Sequence, residues 1–187
     1  MNSIVLLLIV QIIILVVSFC IVAYFFVQLV KLHRNRVPFV PSTLRVIEAV
    51  HASGLLPKNG TVVDLGCGDG RVLISFRKNG HSGTLIGYET SWLPYLLARI
   101  RTRNMPDIDI RRVALEQADL SGADIVYCFL YPGLMQELSQ GLFRSLKPGA
   151  IIVSAEFPIH DREPFSVLRT RGVTSREAGV FFYRVPA

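Results

Sequence analysis

At 187 residues the chain is long enough for one globular domain and too short for two. Its formal net charge of +6 comes entirely from Lys31 onward, whereas the excess within its 51% hydrophobic residues sits before that position. Cys20, Cys67 and Cys128 have no metal-ligand spacing, so they support neither zinc nor disulfides, and reduced cytoplasmic thiols are the simplest account.

In chain order, the first element is an apolar run from Ile4 to Val30 without Asp, Glu, Lys, Arg, Pro or Gly. Its length predicts a single transmembrane helix. A cleaved signal peptide would need a basic leading region, a shorter apolar core and a small-residue cleavage site, none of which is present. Lys31, His33, Arg34 and Arg36 follow at once, and no charged side chain precedes the run. That asymmetry predicts a single-pass protein with its C-terminal part on the cytoplasmic side, the basic residues facing anionic lipid. The expected organisation is therefore an anchor with a basic juxtamembrane segment at 1–36 and a single α/β domain at 37–187.

Arg36-Val37-Pro38-Phe39-Val40-Pro41 predicts a stiff, extended connector. Ser42 reads as the N-cap of a helix carrying Leu44, Ile47 and Val50 on one face and stopped by Gly54. A strand at Thr61–Leu65, a helix from Arg71 to Asn79 and a strand at Thr84–Tyr88 form a βαβ unit. A helix at Trp92–Arg103 follows, with Pro94 in its first turn. Its Arg99, Arg101 and Arg103 read as a solvated face, with contact to lipid or an acidic substrate as the alternative. Strands are expected near Ile108–Val113, Ile125–Leu130 and Ile151–Glu156. Between the last two, Leu134, Leu138, Leu142 and Leu146 or Ser145 mark a helix face that Lys147-Pro148-Gly149 stops. Phe165–Leu168 and Val180–Val185 predict an antiparallel hairpin on the sheet edge, around a turn containing Gly172.

The chemistry concentrates where the first strand gives way to a helix, in Asp64-Leu65-Gly66-Cys67-Gly68-Asp69-Gly70. Ligands of open α/β sheets bind at such strand ends. The glycine spacing is not that of a dinucleotide fingerprint, and no Gly-Lys-Ser/Thr follows as in a phosphate-binding loop. Carboxylates at Asp64 and Asp69 oppose a pyrophosphate and suit a cation. S-adenosylmethionine carries a sulfonium and an ammonium and no phosphate, which matches this loop. Glu89 ends the next strand, 25 residues after Asp64, where a carboxylate can hold both ribose hydroxyls. With Thr90 beside it, the candidate cofactor-binding set is Asp64, Gly66, Cys67, Gly68, Asp69, Gly70, Glu89 and Thr90.

These residues, with Leu146-Lys147-Pro148-Gly149, resemble class I S-adenosylmethionine-dependent methyltransferases across 41–187. The resemblance implies a Rossmann-like, seven-stranded, mostly parallel sheet with one antiparallel strand, the glycine loop near the methionine moiety and the strand-end acid on the ribose. The transmembrane run, Pro38-Phe39-Val40-Pro41, Gly87-Tyr88-Glu89 and Phe157-Pro158 further resemble membrane-anchored protein-lysine methyltransferases. Those include mitochondrial enzymes acting on the ATP synthase c subunit and the adenine nucleotide carrier. This chain departs from them with Thr90-Ser91 where an Asn usually follows the strand-end acid, and near Ala114–Glu116, where an adenine-side Asp is replaced.

Methyl transfer is an in-line displacement at a cationic methyl, so alignment and exclusion of water matter most. Phe129, Tyr131 and Pro132, with Phe157, are the expected walls of the acceptor pocket at the strand ends. Phe129-Leu130-Tyr131-Pro132 stands where nucleic-acid amino-methylating enzymes of this class resemble Asn-Pro-Pro-Tyr, so no nucleic-acid partner is expected, and no metal. Pro41, Ser42 and Thr43 read as a helix cap or a lid, and His160-Asp161 as a surface turn. The expected partners are the bilayer and a lysine-bearing membrane-associated protein. A lipid or small apolar acceptor, or a cofactor-binding protein without turnover, are the alternatives.

Overall fold

The computed structural model describes residues 3–35, 44–171 and 177–186, and the chain divides into two compact units, Met1–Val40 and Pro41–Ala187. The connector at 36–41, the Ser42 cap, the lid at 41–43, the turn at Gly172 and the side chains of Lys31, His33, Arg34 and Arg36 lie outside the described residues.

Helix α1 covers Ser3–Asn35. Its stretch Ser3–Gln28, 26 residues, is long and apolar enough to cross a membrane. At about 1.5 Å per residue that stretch measures about 39 Å against a hydrocarbon core of about 30 Å. No side chain described in it is buried, unlike the core helix of a soluble protein.

The second unit is a seven-stranded sheet. Its elements are α2 (Leu44–Ala52), β1 (Val62–Leu65), α3 (Arg71–Lys78), β2 (Leu85–Tyr88), α4 (Trp92–Thr102) and β3 (Ile108–Arg111). A 3₁₀ turn (Leu115–Gln117), β4 (Ile125–Cys128), α5 (Pro132–Ser145), β5 (Ile151–Ala155), β6 (Ser166–Arg171) and β7 (Glu177–Arg184) follow. The strand order is β3-β2-β1-β4-β5-β7-β6. The β1–β5 pairings are parallel, and β7 runs antiparallel to both β5 and β6. The C-terminal hairpin is therefore present, with β6 on the edge and β7 as the one reversed strand.

Strands β1, β4 and β5 are buried at every position, as expected of strands covered on both faces. On one face Val46, Ile47 and Val50 of α2, Val72, Leu73 and Phe76 of α3 and Ala98 of α4 pack on Val62, Leu85 and Ile125. On the other, Met135 and Leu142 of α5 pack on Val63, Leu65, Val126 and Ile152. The leucine stripe expected for α5 faces the core: Leu142 and Leu146 are buried, Leu134 and Leu138 pack against it partly buried, and Met135 and Ser139 beside them are buried as well.

Gly87 in β2 matters to the site through a close approach. A Cβ there would lie 2.7 Å from Cys67 Sγ and 2.9 Å from Leu73 Cδ1. Gly87→Ala is expected to lower the unfolding free energy by about 1–3 kcal/mol through overpacking, and Cys67→Ala on top of it to recover part of the loss. Thermal unfolding of the full chain in detergent micelles checks both.

Candidate functional site

The loop after β1 is held by backbone hydrogen bonds to the end of β2 and within itself. Gly66 and Cys67 both donate N–H to the Tyr88 carbonyl at 2.9 Å, and Gly70 donates to Cys67 at 2.9 Å. Gly66, Gly68 and Gly70 have φ of +79°, +57° and +77°, a left-handed conformation that side chains oppose. A Cβ on Gly66 would also press to 3.1 Å from Leu130 Cδ2. Cys67 is buried; burial, then the carboxylates of Asp64 and Glu89, push its thiol far above the usual range. It is a packing residue of the loop and is kept from acting as a nucleophile.

Three carboxylates surround this loop, and the structure gives them different tasks. Asp64 is 2% exposed. Its Oδ2 has no hydrogen-bond partner among the described residues. Burial first, then Glu89 and Asp69, raise its pKa well above the ordinary carboxyl value. Glu89 is anchored by backbone: Oε2 accepts from Gly68 N–H at 3.0 Å and Oε1 from Ser91 N–H at 2.7 Å. Each oxygen keeps a further lone pair.

Asp69 differs from the expectation that it would add a free negative charge. Its carboxylate accepts from Arg71 Nε at 2.9 Å and Nη2 at 2.8 Å and is also bridged by Arg101 of α4. Burial acts to raise the Asp69 pKa, but the bonds and charge of Arg71, with Arg101, outweigh it and hold the group below its usual value. Asp69 thus ties the loop to α3 and α4, whereas Asp64 and Glu89 form no ion pair among the described residues. Arg71, two residues from Asp69, was legible as a partner; nothing in the sequence pointed to Arg101. Thr90 is exposed just past Glu89, with its hydroxyl 3.5 Å from the Val113 carbonyl.

The neighbouring strand ends carry the residues expected as walls. Phe129, after β4, lies parallel to Phe157, after β5, with ring centroids 6.3 Å apart and planes 9° from parallel. Ser154 Oγ donates to the Phe157 carbonyl at 2.6 Å and fixes that turn. Tyr131 is 44% exposed and caps α5, and Pro132 opens the helix at a position where its missing N–H costs nothing. Glu156, between β5 and Phe157, has φ of 67°, unusual for a side-chain-bearing residue. His160 and Asp161 form an exposed turn, as expected. Among the described residues no cluster of three or more His, Cys, Asp or Glu could hold a metal.

A glycine cradle without Cβ atoms, beside a buried carboxylate oxygen without a partner and a second carboxylate held by backbone, fits a cationic nucleoside. It does not fit a pyrophosphate. The sequence matches the family described as "ANTKMT methyltransferase domain" over residues 64–166. The chain belongs to this methyltransferase family.

Among its relatives is a protein-lysine N-methyltransferase of Saccharolobus islandicus, 30% identical over 136 residues, which are 71% of this chain and 84% of that protein. Another is the adenine nucleotide translocase lysine N-methyltransferase of Mus musculus, 34% identical over 140 residues, 72% of this chain and 59% of that protein. The chain thus spans well under two thirds of the mouse relative. Among solved structures, an RNA methyltransferase of Salinibacter ruber in complex with S-adenosyl-L-homocysteine aligns with a TM-score of 0.71 and 26% identity. It covers 79% of this chain and 94% of that one. This methyltransferase accordingly has the Rossmann-like fold of its class and S-adenosylmethionine as cofactor.

Proposed function

We propose that this methyltransferase transfers methyl groups to lysine on a membrane-associated protein, held at the membrane by α1 with residues 37–187 as its catalytic domain on the cytoplasmic side. The likeness to relatives named for lysine methylation carries the acceptor. The span Ser3–Gln28 and the basic residues after it support the anchor and its orientation.

S-adenosylmethionine supplies an electrophilic methyl on a positively charged sulfur. Asp64, whose Oδ2 is unpartnered among the described residues, would meet the cofactor's positive charge, and the backbone of 66–70 would hold its methionine half. Glu89, already oriented by Gly68 and Ser91, offers its remaining lone pairs to the ribose hydroxyls, with Thr90 at its side. Phe129, Tyr131 and Pro132 form the mouth through which the acceptor enters. A lysine reacts only as the free amine, and an apolar, aromatic wall lowers its pKa by disfavouring the ammonium. No strong base is required of the protein; it aligns the amine at about 3–3.5 Å and excludes water.

Incubation of the full chain with labelled S-adenosylmethionine and native membranes tests the proposal. The expected result is label in a membrane protein, recovered as methyl-lysine after hydrolysis. Label entirely in the lipid extract or in RNA would overturn the lysine acceptor, and tight cofactor binding without turnover would overturn catalysis on membranes.

A further inference from the structure

Helix α4 turns an apolar face outward. Trp92, Leu93, Leu96, Leu97 and Ile100 are 57%, 40%, 38%, 44% and 51% exposed, while Ala98 and Thr102 are buried. At 100° per residue those five side chains occupy one continuous arc of about 140°. Exposed apolar surface on this scale marks a contact surface rather than scattered single residues.

The rim is basic. Arg99 and Arg101 flank the arc on its two sides, Arg103 closes the helix, and the Arg112 guanidinium sits 5.4 Å from the centre of the Trp92 ring. Arg101 is engaged by Asp69; Arg99, Arg103 and Arg112 form no ion pair among the described residues. From Trp92 to Arg103 there is no carboxylate. Bulky aliphatics with a tryptophan at one end and arginines alongside are the composition of helices that lie in a membrane interface.

We propose that this face of α4 docks on an anionic bilayer, its apolar arc entering the headgroup boundary and its arginines meeting lipid phosphates. The inference rests on the membrane location proposed above. Because α4 begins three residues after Glu89, docking holds the rim of the cofactor crevice at headgroup level. The acceptors selected would then be lysines at the same depth.

The chain carries its own probes. Trp92 is the only tryptophan. Of the cysteines, Cys20 in α1 is exposed, and Cys67 and Cys128 are buried. The full chain is reconstituted into phosphatidylcholine vesicles, with or without phosphatidylglycerol, in which the acyl chains are brominated. Trp92 emission is read in one sample and a bimane label on Cys20 in another. The expected result is quenching of both reporters in anionic vesicles. Trp92 quenching should be lost in Arg99→Glu/Arg103→Glu while Cys20 quenching persists. In detergent that variant should bind S-adenosylhomocysteine as the parent does, which shows it is folded.

Quenching at Cys20 with Trp92 emission unquenched and solvent-like overturns the docking face and leaves the anchor standing. Quenching at Trp92 alone supports the docking face and overturns the anchor. Trp92 emission that is blue-shifted yet unquenched by bromine means that a second copy covers this face, and also overturns the proposal.

Discussion

Asp64→Asn is expected to weaken S-adenosylmethionine binding roughly 30- to 150-fold, about 2–3 kcal/mol, the worth of a charge-assisted contact. It should also stabilise the cofactor-free protein at neutral pH. Both effects follow from the raised pKa of this buried carboxyl, one of whose oxygens has no hydrogen-bond partner among the described residues. In the unfolded chain the group ionises near 3.9. In the folded protein it keeps its proton to higher pH, so the native state binds more protons across that window. Stability therefore falls as pH rises from about 3.9 to the folded-state pKa, and then levels off. Asn carries no such penalty. A bound cation favours the ionised form, so cofactor binding should release a proton, and affinity should increase with pH over the same window. Calorimetry in buffers of different ionisation enthalpy reads the proton, and thermal unfolding against pH reads the stability. An Asn variant with parental affinity and parental pH slope would remove Asp64 from the site.

Glu89→Ala is expected to cost at least as much, about 3 kcal/mol or roughly a hundredfold in affinity, for a different reason. It removes the acceptor for the Gly68 and Ser91 N–H groups together with the lone pairs offered to the ribose. The parent should lose affinity for an S-adenosylhomocysteine analogue lacking the ribose hydroxyls, whereas Glu89→Ala should no longer tell that analogue from the parent ligand. Calorimetric titration of both proteins with both ligands forms the cycle. Additive losses would mean that Glu89 acts on the loop alone and that the hydroxyls are bound elsewhere.

The two variants separate roles that look alike in sequence. Asp64, Asp69 and Glu89 are all acidic residues at or beside a strand end, and composition treats them equally. Asp64 is buried with an oxygen unpaired, Glu89 is hung on two backbone amides, and Asp69 is neutralised by Arg71 and Arg101. The docking face gives the same lesson from the surface. Arg99, Arg101 and Arg103 read as a solvated face by charge; beside five exposed apolar neighbours, the same arginines become the rim of an apolar patch.

By itself the sequence determined the elements and their order, because hydrophobic period, prolines and glycines act over a few residues and leave local marks. It also determined the class of cofactor, since glycine spacing and the sign of nearby charge lie within one strand-loop-helix segment. The run long and apolar enough to cross a membrane was legible for the same reason, its length and lack of charge being local. The tertiary structure alone decided that Met135 and Ser139 join α5's leucines against the core, that β7 lies inside β6, and that Phe129 stacks on Phe157. It likewise decided that Arg101 pairs with Asp69 while Asp64 Oδ2 is left without a hydrogen-bond partner among the described residues. Each of these depends on packing between segments distant in the chain, where burial changes the energy of a charge and no local pattern records the neighbour.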